Sequence, residues 1–439
     1  MHFSDLQNFI THLETVGDLV RVKEEVDPYL EVADIVNRTC KDPKGNSALL
    51  FEDVKGFALP LVANCFGSSL RTAAALGVTN VESLTLKLRT DLRAIEEKES
   101  GRALAKLIQG QAEEQGTDDD FLAITHVECE KGLSELPVLY SWPKEGGPYI
   151  TLGQVFTKKP DSKEQNCGMY RLQVVDKETA LVRFHPGSGG GEHLEAWHAR
   201  GEAMPIAVVL GGPPALTLCA GMSLPEGVTE TDFVKYLTGH SVAMAKCQNS
   251  ELFVPSTAEI VIEGLISPGD QMEEGPFGNH TGYYSDVSLV PVVKVLNVYM
   301  RESAVYPCTV VGPPPMENVF MAQANERLLL ELLRYDCPWV VNVHMPREGV
   351  YHRAALVSVS EHDGSAAKIN ESLNGSRLLR NSRMIVLLDK DCDLHNFRDV
   401  YWRFINAEAW EESVLIDGKT MVVDARASRH RNSMFNGLA

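Results

Sequence analysis

The residues between Glu273 and Tyr284 are the most chemically unusual part of the chain. Two carboxylates, Glu273 and Glu274, precede a run of turn-forming residues, and an amide (Asn279), an imidazole (His280) and two phenol rings follow. A glutamate buried in such a stretch can have its proton affinity shifted and serve as an acid or base. An ordinary exposed turn explains the same residues equally well. Asn166-Cys167-Gly168-Met169-Tyr170-Arg171 leads into a strand-like segment, where an arginine is commonly solvated or salt-bridged. Asn166, His193 and Glu230 offer oxygen and nitrogen ligands suited to Mn2+ or Mg2+, although they lie far apart in sequence. The run Gly187-Ser188-Gly189-Gly190-Gly191 could admit a phosphate against bare backbone. It matches neither G-x-G-x-x-G opening a helix nor the Walker pattern, and a flexible surface loop is the simpler reading.

These residues need elements to hold them. Ser4 and Gln7 have capping-box spacing, and Leu6, Phe9, Ile10 and Leu13 share one helical face that Gly17 ends. Leu19–Val22 reads as a strand, Val32–Cys40 as a helix, and Ser83–Leu107 as a further helical segment. Gly110–Asp120 is polar and acidic, a loop and the first boundary. From Leu136 to Met300 strand-like pieces alternate with Gly and Pro: Tyr170–Val175, Ala180–Phe184, Ile206–Val209, Ala258–Ile262 and Val292–Tyr299. The β-branched content around Ala258–Ile262 suits half-buried strands. Beyond Gly312-Pro313-Pro314-Pro315, a leucine-rich helix (Ala322–Tyr335) and apolar runs (Trp339–Val343, Met384–Leu388) read as buried α/β structure.

Composition narrows the function. With 439 residues the chain has room for two or three domains. Its 41 basic and 60 acidic residues give a net charge of −19, which disfavours nucleic-acid or anionic-membrane surfaces. The first residues lack a signal-peptide pattern, and no apolar run is long enough for a transmembrane helix. Nine cysteines at irregular spacing, with no C-x-x-C pair, fit reduced thiols in a cytoplasmic protein.

Taken together and in this order, the motifs resemble the UbiD family of prenylated-FMN-dependent (de)carboxylases over nearly the whole chain. The resemblance rests on Leu19-Val20-Arg21-Val22, Asn166 to Arg171, Ala258-Glu259-Ile260-Val261-Ile262-Glu263-Gly264 and Glu274-Gly275-Pro276-Phe277-Gly278. Thr281-Gly282-Tyr283-Tyr284, Gly312-Pro313-Pro314-Pro315-Met316-Glu317 and the Ala367-Lys368 region extend it. It implies an α/β multidomain fold: an N-terminal α/β segment (1–115), a central split β-barrel flavin-binding domain (116–302) and a C-terminal α/β dimerisation domain (303–439). The active site is expected between the last two. By resemblance, Arg171 and Glu274 are the paired arginine and carboxylate beside the cofactor's reactive edge. Asn166, His193 and Glu230 are the divalent-metal ligands that bridge to the cofactor phosphate. Lys368 is a further phosphate contact, and Met169, Tyr170, Arg171, Val182, Arg183 and Phe184 lie along the flavin. The cofactors implied are prenylated FMN and Mn2+ (or Mg2+), with K+ as a further candidate ion.

A cation at Asn166 and Glu230 would answer a physical need, since the cofactor phosphate is anionic in a protein of −19. A pocket poor in water near Phe277 and Tyr283 would strengthen the ionic contacts. The chain departs from the family pattern at Asn279, where many members carry a second acid. An amide cannot deliver a proton as an acid does, so either Glu274 is the sole proton donor or His280 or a further group assists it, and Asn279 points toward hydroxybenzoate-like or heteroaromatic acids over cinnamate-type alkenes. The expected reaction is reversible, non-oxidative decarboxylation of an aromatic, heteroaromatic or α,β-unsaturated acid. A carboxylase subunit of a complex and a non-enzymatic flavin-binding or assembly protein are the alternatives. The expected partners are a small carboxylic acid, a flavin prenyltransferase as cofactor supplier, and further copies of the chain in a homodimer or higher homo-oligomer. Arg327, His352 and Arg353 are polar residues in the region where substrate is expected.

Overall fold

A computed structural model describes residues 2–110, 117–121, 126–360, 365–407 and 413–426. Within it the chain forms two compact units. The first comprises Met1–Asn80, Gln111–Met222 and Val228–Met321, and the second Val81–Gly110, Ser223–Gly227 and Ala322–Ala439.

The first unit is built on a ten-stranded sheet that curls into a half-barrel, the form the expected split barrel takes. Its order is Tyr149–Ile150, Leu172–Asp176, Thr179–Val182, Ser288–Met300, Ala258–Ile266, Met204–Gly211, Gln154–Lys158 and Gln165–Met169, with Gln271–Glu274 and Val127–Glu128 added to Ser288–Met300. The alternating apolar residues of Ser288–Met300 put one face toward the core. Ala258–Ile266 is a central strand and is buried almost throughout, where half-burial was expected. Its two glutamates are satisfied inside: Glu263 accepts from the backbone N–H groups of Gln248 (2.9 Å) and Asn249 (2.7 Å). Glu259 accepts from Arg301 (3.0 Å) and Gln7 (2.8 Å).

That last contact revises the expected capping box. Gln7 reaches across to Glu259, and Asp5 caps the helix Leu6–Thr15 by accepting from Asn8 N at 2.7 Å. Leu19–Val22, Ala48–Phe51, Leu61–Ala63 and Tyr306–Cys308 form a second, four-stranded sheet. Part of the expected 110–120 loop is a strand, Thr117–Phe121, parallel to Met244–Lys246; residues 111–116 lie outside the described residues.

The second unit holds a five-stranded sheet ordered Val340–His344, Ala354–Val359, Met384–Asp389, Thr420–Asp424 and Val414–Asp417, parallel across its three central strands. The continuous apolar run of Ala354–Val359 is buried at every position, as a central parallel strand requires. The segment read as one helix from Ser83 to Leu107 is two, Val81–Arg93 and Ser100–Gln109. Among the described residues no helix is long and apolar enough to cross a membrane, and the nine cysteines are buried and unpaired.

Candidate active site

A hairpin and a strand end assemble the centre of the site. Leu172–Asp176 turns back into Thr179–Val182 with Leu172 opposite Val182, and the pairing runs on to Arg183 N donating to Arg171 O at 3.4 Å. Arg171 and Arg183 are thereby brought side by side. Gln271–Glu274 ends on the adjoining long strand with Glu274 opposite Ser288. The carboxylate of Glu274 is 1% exposed and is gripped by both guanidinium groups. Arg171 donates through Nε to Oε1 (2.9 Å) and through Nη2 to Oε2 (3.1 Å), while Arg183 donates through Nε to Oε2 (2.8 Å). Arg183 also bonds Ser288 Oγ. The Arg171 guanidinium lies 4.3 Å from the centre of the Phe277 ring, an added cation–π attraction.

Taking a carboxylate out of water is costly unless it is fully paired. Burial alone would raise the Glu274 carboxyl, but the hydrogen bonds and charges of Arg171 and Arg183 outweigh it and hold the group below the ordinary glutamate value. Glu274 is therefore an anion at rest, clamped from two sides.

The turn after Glu274 is fixed from below. Gly275 has φ +105°, which a side chain would strain, and its N–H donates to Gln173 Oε1 at 2.9 Å. Gln173 also donates to Gly146 O at 3.0 Å and accepts from Tyr149 OH at 3.0 Å, so one buried amide ties three segments. Glu145 accepts from the N–H groups of Ser141 (2.8 Å), Trp142 (3.2 Å) and Gly278 (3.1 Å). Burial raises its carboxyl against those three bonds. Asn279 follows, half-buried, with its Oδ1 accepting from His280 N at 2.7 Å and its own N–H donating to Tyr283 O at 3.1 Å. Phe277 is buried as expected, but Tyr283 is 78% exposed and lines no dry pocket, because it sits at the tip of this turn.

The three expected metal ligands lie on or against two paired strands, Gln154–Lys158 and Gln165–Met169. Asn166 stands opposite Thr157 in the sheet. Thr157 Oγ1 lies 2.9 Å from His193 Nδ1, and Glu230 Oε2 accepts from Cys167 N, next along from Asn166, at 2.9 Å. Burial pushes the Glu230 carboxyl up to about 7. Asn166 Nδ2 is buried without a hydrogen-bond partner. The glycine run is not the surface loop that its composition suggested. Ser188 caps the helix Gly189–Ala199 by accepting from Gly191 N at 3.3 Å, so Gly189, Gly190 and Gly191 form the helix's first turn. A Cβ on Gly189 would fall 2.1 Å from Asn166 Oδ1, and one on Gly190 would fall 2.5 Å from the Phe184 ring. The glycines are there because Asn166, Tyr170 and Phe184 pack against bare backbone. Tyr170 OH in turn accepts from Gly190 N at 3.1 Å. Met169 ends the strand Gln165–Met169, and Val182 ends its own strand just before Arg183 and Phe184. Lys368 belongs to the other unit, exposed on the helix Ala366–Asn374. Arg327, also there, is salt-bridged to Glu82 at 2.8 Å.

Models described as the N-terminal, Rift-related and C-terminal domains of 3-octaprenyl-4-hydroxybenzoate carboxy-lyase match residues 10–88, 119–314 and 319–434. The chain belongs to the UbiD family. It is 36% identical over 432 residues to an uncharacterised protein of Aquifex aeolicus, spanning 94% of this chain and 86% of the relative. An uncharacterised protein of Archaeoglobus fulgidus is 35% identical over 413 residues, spanning 92% and 84%. Among solved structures, an evolved dimeric form of the UbiD-class enzyme HmfF from Pelotomaculum thermopropionicum, in complex with prFMN, superposes with a TM-score of 0.77 at 27% identity. That match covers 97% of this chain and 95% of the other. The closed form of the vanillic acid decarboxylase of Sedimentibacter hydroxybenzoicus shares the fold, with a TM-score of 0.84 at 24% identity over 97% and 93% of the two chains. As a UbiD-family member the chain is an enzyme of the carboxy-lyase class.

Two residues of this centre escape a reading by motif. Arg183 was expected only along the flavin, yet it is the second grip on Glu274; the hairpin register that sets it opposite Arg171 was the available signal. Gln173 lies two residues beyond Arg171, and the period-2 alternation of a strand places both on one face.

Proposed function

We propose that this UbiD-family chain is a prenylated-FMN-dependent, reversible non-oxidative decarboxylase of an aromatic, heteroaromatic or α,β-unsaturated acid, leaning to hydroxybenzoate-like or heteroaromatic acids. The observation that carries this reading is the buried Glu274 carboxylate between Arg171 and Arg183. A purely structural ion pair of this burial is usually no better than an apolar pair, so two arginines on one carboxylate speak for a working group. The prFMN held by the HmfF relative supports the cofactor.

The residues fit such a cofactor with its metal. Asn166 supplies an amide oxygen, His193 an imidazole and Glu230 a carboxylate, a mixed N/O donor set suited to Mn2+ or Mg2+, and the unsatisfied Asn166 Nδ2 would be left to donate to an anion. Met169, Tyr170 and Arg171, with Val182, Arg183 and Phe184 across the hairpin, would lie along the flavin. The prenylated flavin, when bound, supplies the electron sink that decarboxylation requires. The chain's own work is to orient the acid and manage one proton. Decarboxylation exchanges CO2 for a proton on carbon. Arg171 or Arg183, turning from Glu274 to the substrate carboxylate, would hold the acid and release Glu274 from the charge that keeps it ionised. Glu274 then takes up a proton and delivers it to the carbon that has lost CO2. Asn279 would hydrogen-bond a ring hydroxyl or heteroatom through its Nδ2, because its Oδ1 is already engaged by His280 N.

Association of copies has support in the second unit, where Phe397, Tyr401 and Ile405 project an exposed apolar stripe from the helix Phe397–Ile405. The substrate class is tested by turnover of the purified, cofactor-loaded chain against hydroxybenzoates, furan- and pyrrole-carboxylates and cinnamate. Turnover of hydroxybenzoates or heteroaromatic acids above cinnamate is expected. Good turnover of cinnamate with none of the hydroxybenzoates would overturn the role given to Asn279.

A further inference from the structure

The second unit carries a cavity of about 420 Å³ that no part of the decarboxylation chemistry uses. Its charged lining is three arginines, Arg89, Arg93 and Arg334, and one glutamate, Glu331; Leu92, Pro338 and Val340 provide apolar wall. Its size falls within the range of ordinary small-molecule pockets.

The charge inside it is unbalanced. Glu331 is fully buried and is shared by two of the arginines: Arg89 donates through Nε and Nη2 at 2.7 and 2.9 Å, and Arg334 donates through Nη1 at 2.6 Å. One carboxylate therefore serves two guanidinium groups. Arg93 is exposed, and among the described residues it has no ion pair or hydrogen-bond partner. Arg334 is disfavoured as a cation first by burial and then by the charges of Arg89 and Arg327, which Glu331 offsets only in part. In a chain of net charge −19, three arginines converging on one cavity with a single counter-ion is a local reversal of sign. Guanidinium groups match oxyanions in geometry as well as in charge.

We propose that this cavity is a binding site for a small amphipathic oxyanion, a carboxylate or phosphate head with an apolar body. The head is held by Arg93 with the free donors of Arg334 and Arg89. The body rests on Leu92, Pro338 and Val340. It shares no lining residue with the Glu274 centre and does not depend on the reaction assigned there.

Calorimetric titration of the full-length, cofactor-loaded protein tests this at fixed ionic strength, with phenyl phosphate and benzoate as probes and acetate as the control without an apolar body. At least one aromatic probe is expected to bind saturably and more tightly than acetate. Which of the two binds tighter identifies the head group. Arg93→Ala is expected to weaken that binding five- to tenfold, while Arg398→Ala, a surface arginine of the same unit, leaves it unchanged. Among the described residues Arg93 supports no carboxylate, so its removal is expected to leave the unit folded, which circular dichroism checks. Equal affinity in Arg93→Ala and native protein would overturn the proposal, as would the absence of saturable binding by either aromatic probe.

Discussion

Replacing Arg183 by methionine keeps most of the side chain's volume and removes its charge, which isolates the second grip on Glu274. Arg183 is largely buried at this contact and Glu274 almost completely so, which keeps solvent screening small. Breaking a buried pair outright costs about 3–5 kcal/mol, but here Arg171 stays in place with two bonds of 2.9 and 3.1 Å. The loss is therefore that of one charge-assisted hydrogen bond, about 1.5–3 kcal/mol. Since 1.4 kcal/mol is tenfold in an equilibrium, the carboxylate should bind a proton about ten- to a hundredfold more tightly in the variant. The sign follows from the depressed Glu274 carboxyl. A group held below its unfolded value stabilises the fold above the ordinary glutamate range, and this contribution is lost as pH falls through the folded value. The deficit of Arg183→Met should be full at neutral pH and shrink on acidification, because protonating Glu274 abolishes the interaction in both proteins. Unfolding midpoints at a series of pH values measure it, and the acid limb of the rate profile should move to higher pH in parallel. A deficit that does not change with pH would refute the reasoning, since it would mean that Arg183 contributes packing alone.

Other perturbations separate the parts of the site. Gly189→Ala places a Cβ 2.1 Å from Asn166 Oδ1 and should lower Mn2+ retention about 10–100-fold, read by elemental analysis, with the flavin content falling alongside. Gln173→Leu strands the N–H of Gly275 and the carbonyl of Gly146; at about 1–3 kcal/mol for each buried orphan, urea unfolding should show about 2–4 kcal/mol of destabilisation. Tyr401→Glu puts a charge into the exposed stripe of the helix Phe397–Ile405 and should shift the sedimentation profile toward monomer at micromolar concentration.

Much of this was legible from sequence because it is local. The apolar runs at Met384–Leu388 and Trp339–Val343 appear as strands within a residue or so, since continuous burial leaves a clear pattern. The link between Asn166, Arg171 and Glu274 was carried by motif. What failed was mostly long-range. Gln7 has capping-box spacing but bonds Glu259, some 250 positions away, and no local pattern records that. The glycine run read as a loop because glycine is a poor helix former; packing against Asn166, Tyr170 and Phe184 outweighs that preference. Tyr283 seemed a pocket residue from its neighbours in sequence, yet the turn buries Phe277 at its base and leaves Tyr283 exposed at its tip.

That this chain works with prenylated FMN is tested by purifying the protein after co-expression with a flavin prenyltransferase and recording its absorption spectrum and the mass of any released cofactor. Prenylated FMN at close to one per chain is expected, together with bound Mn2+ or Mg2+. A folded protein that retains metal and carries no flavin would contradict it.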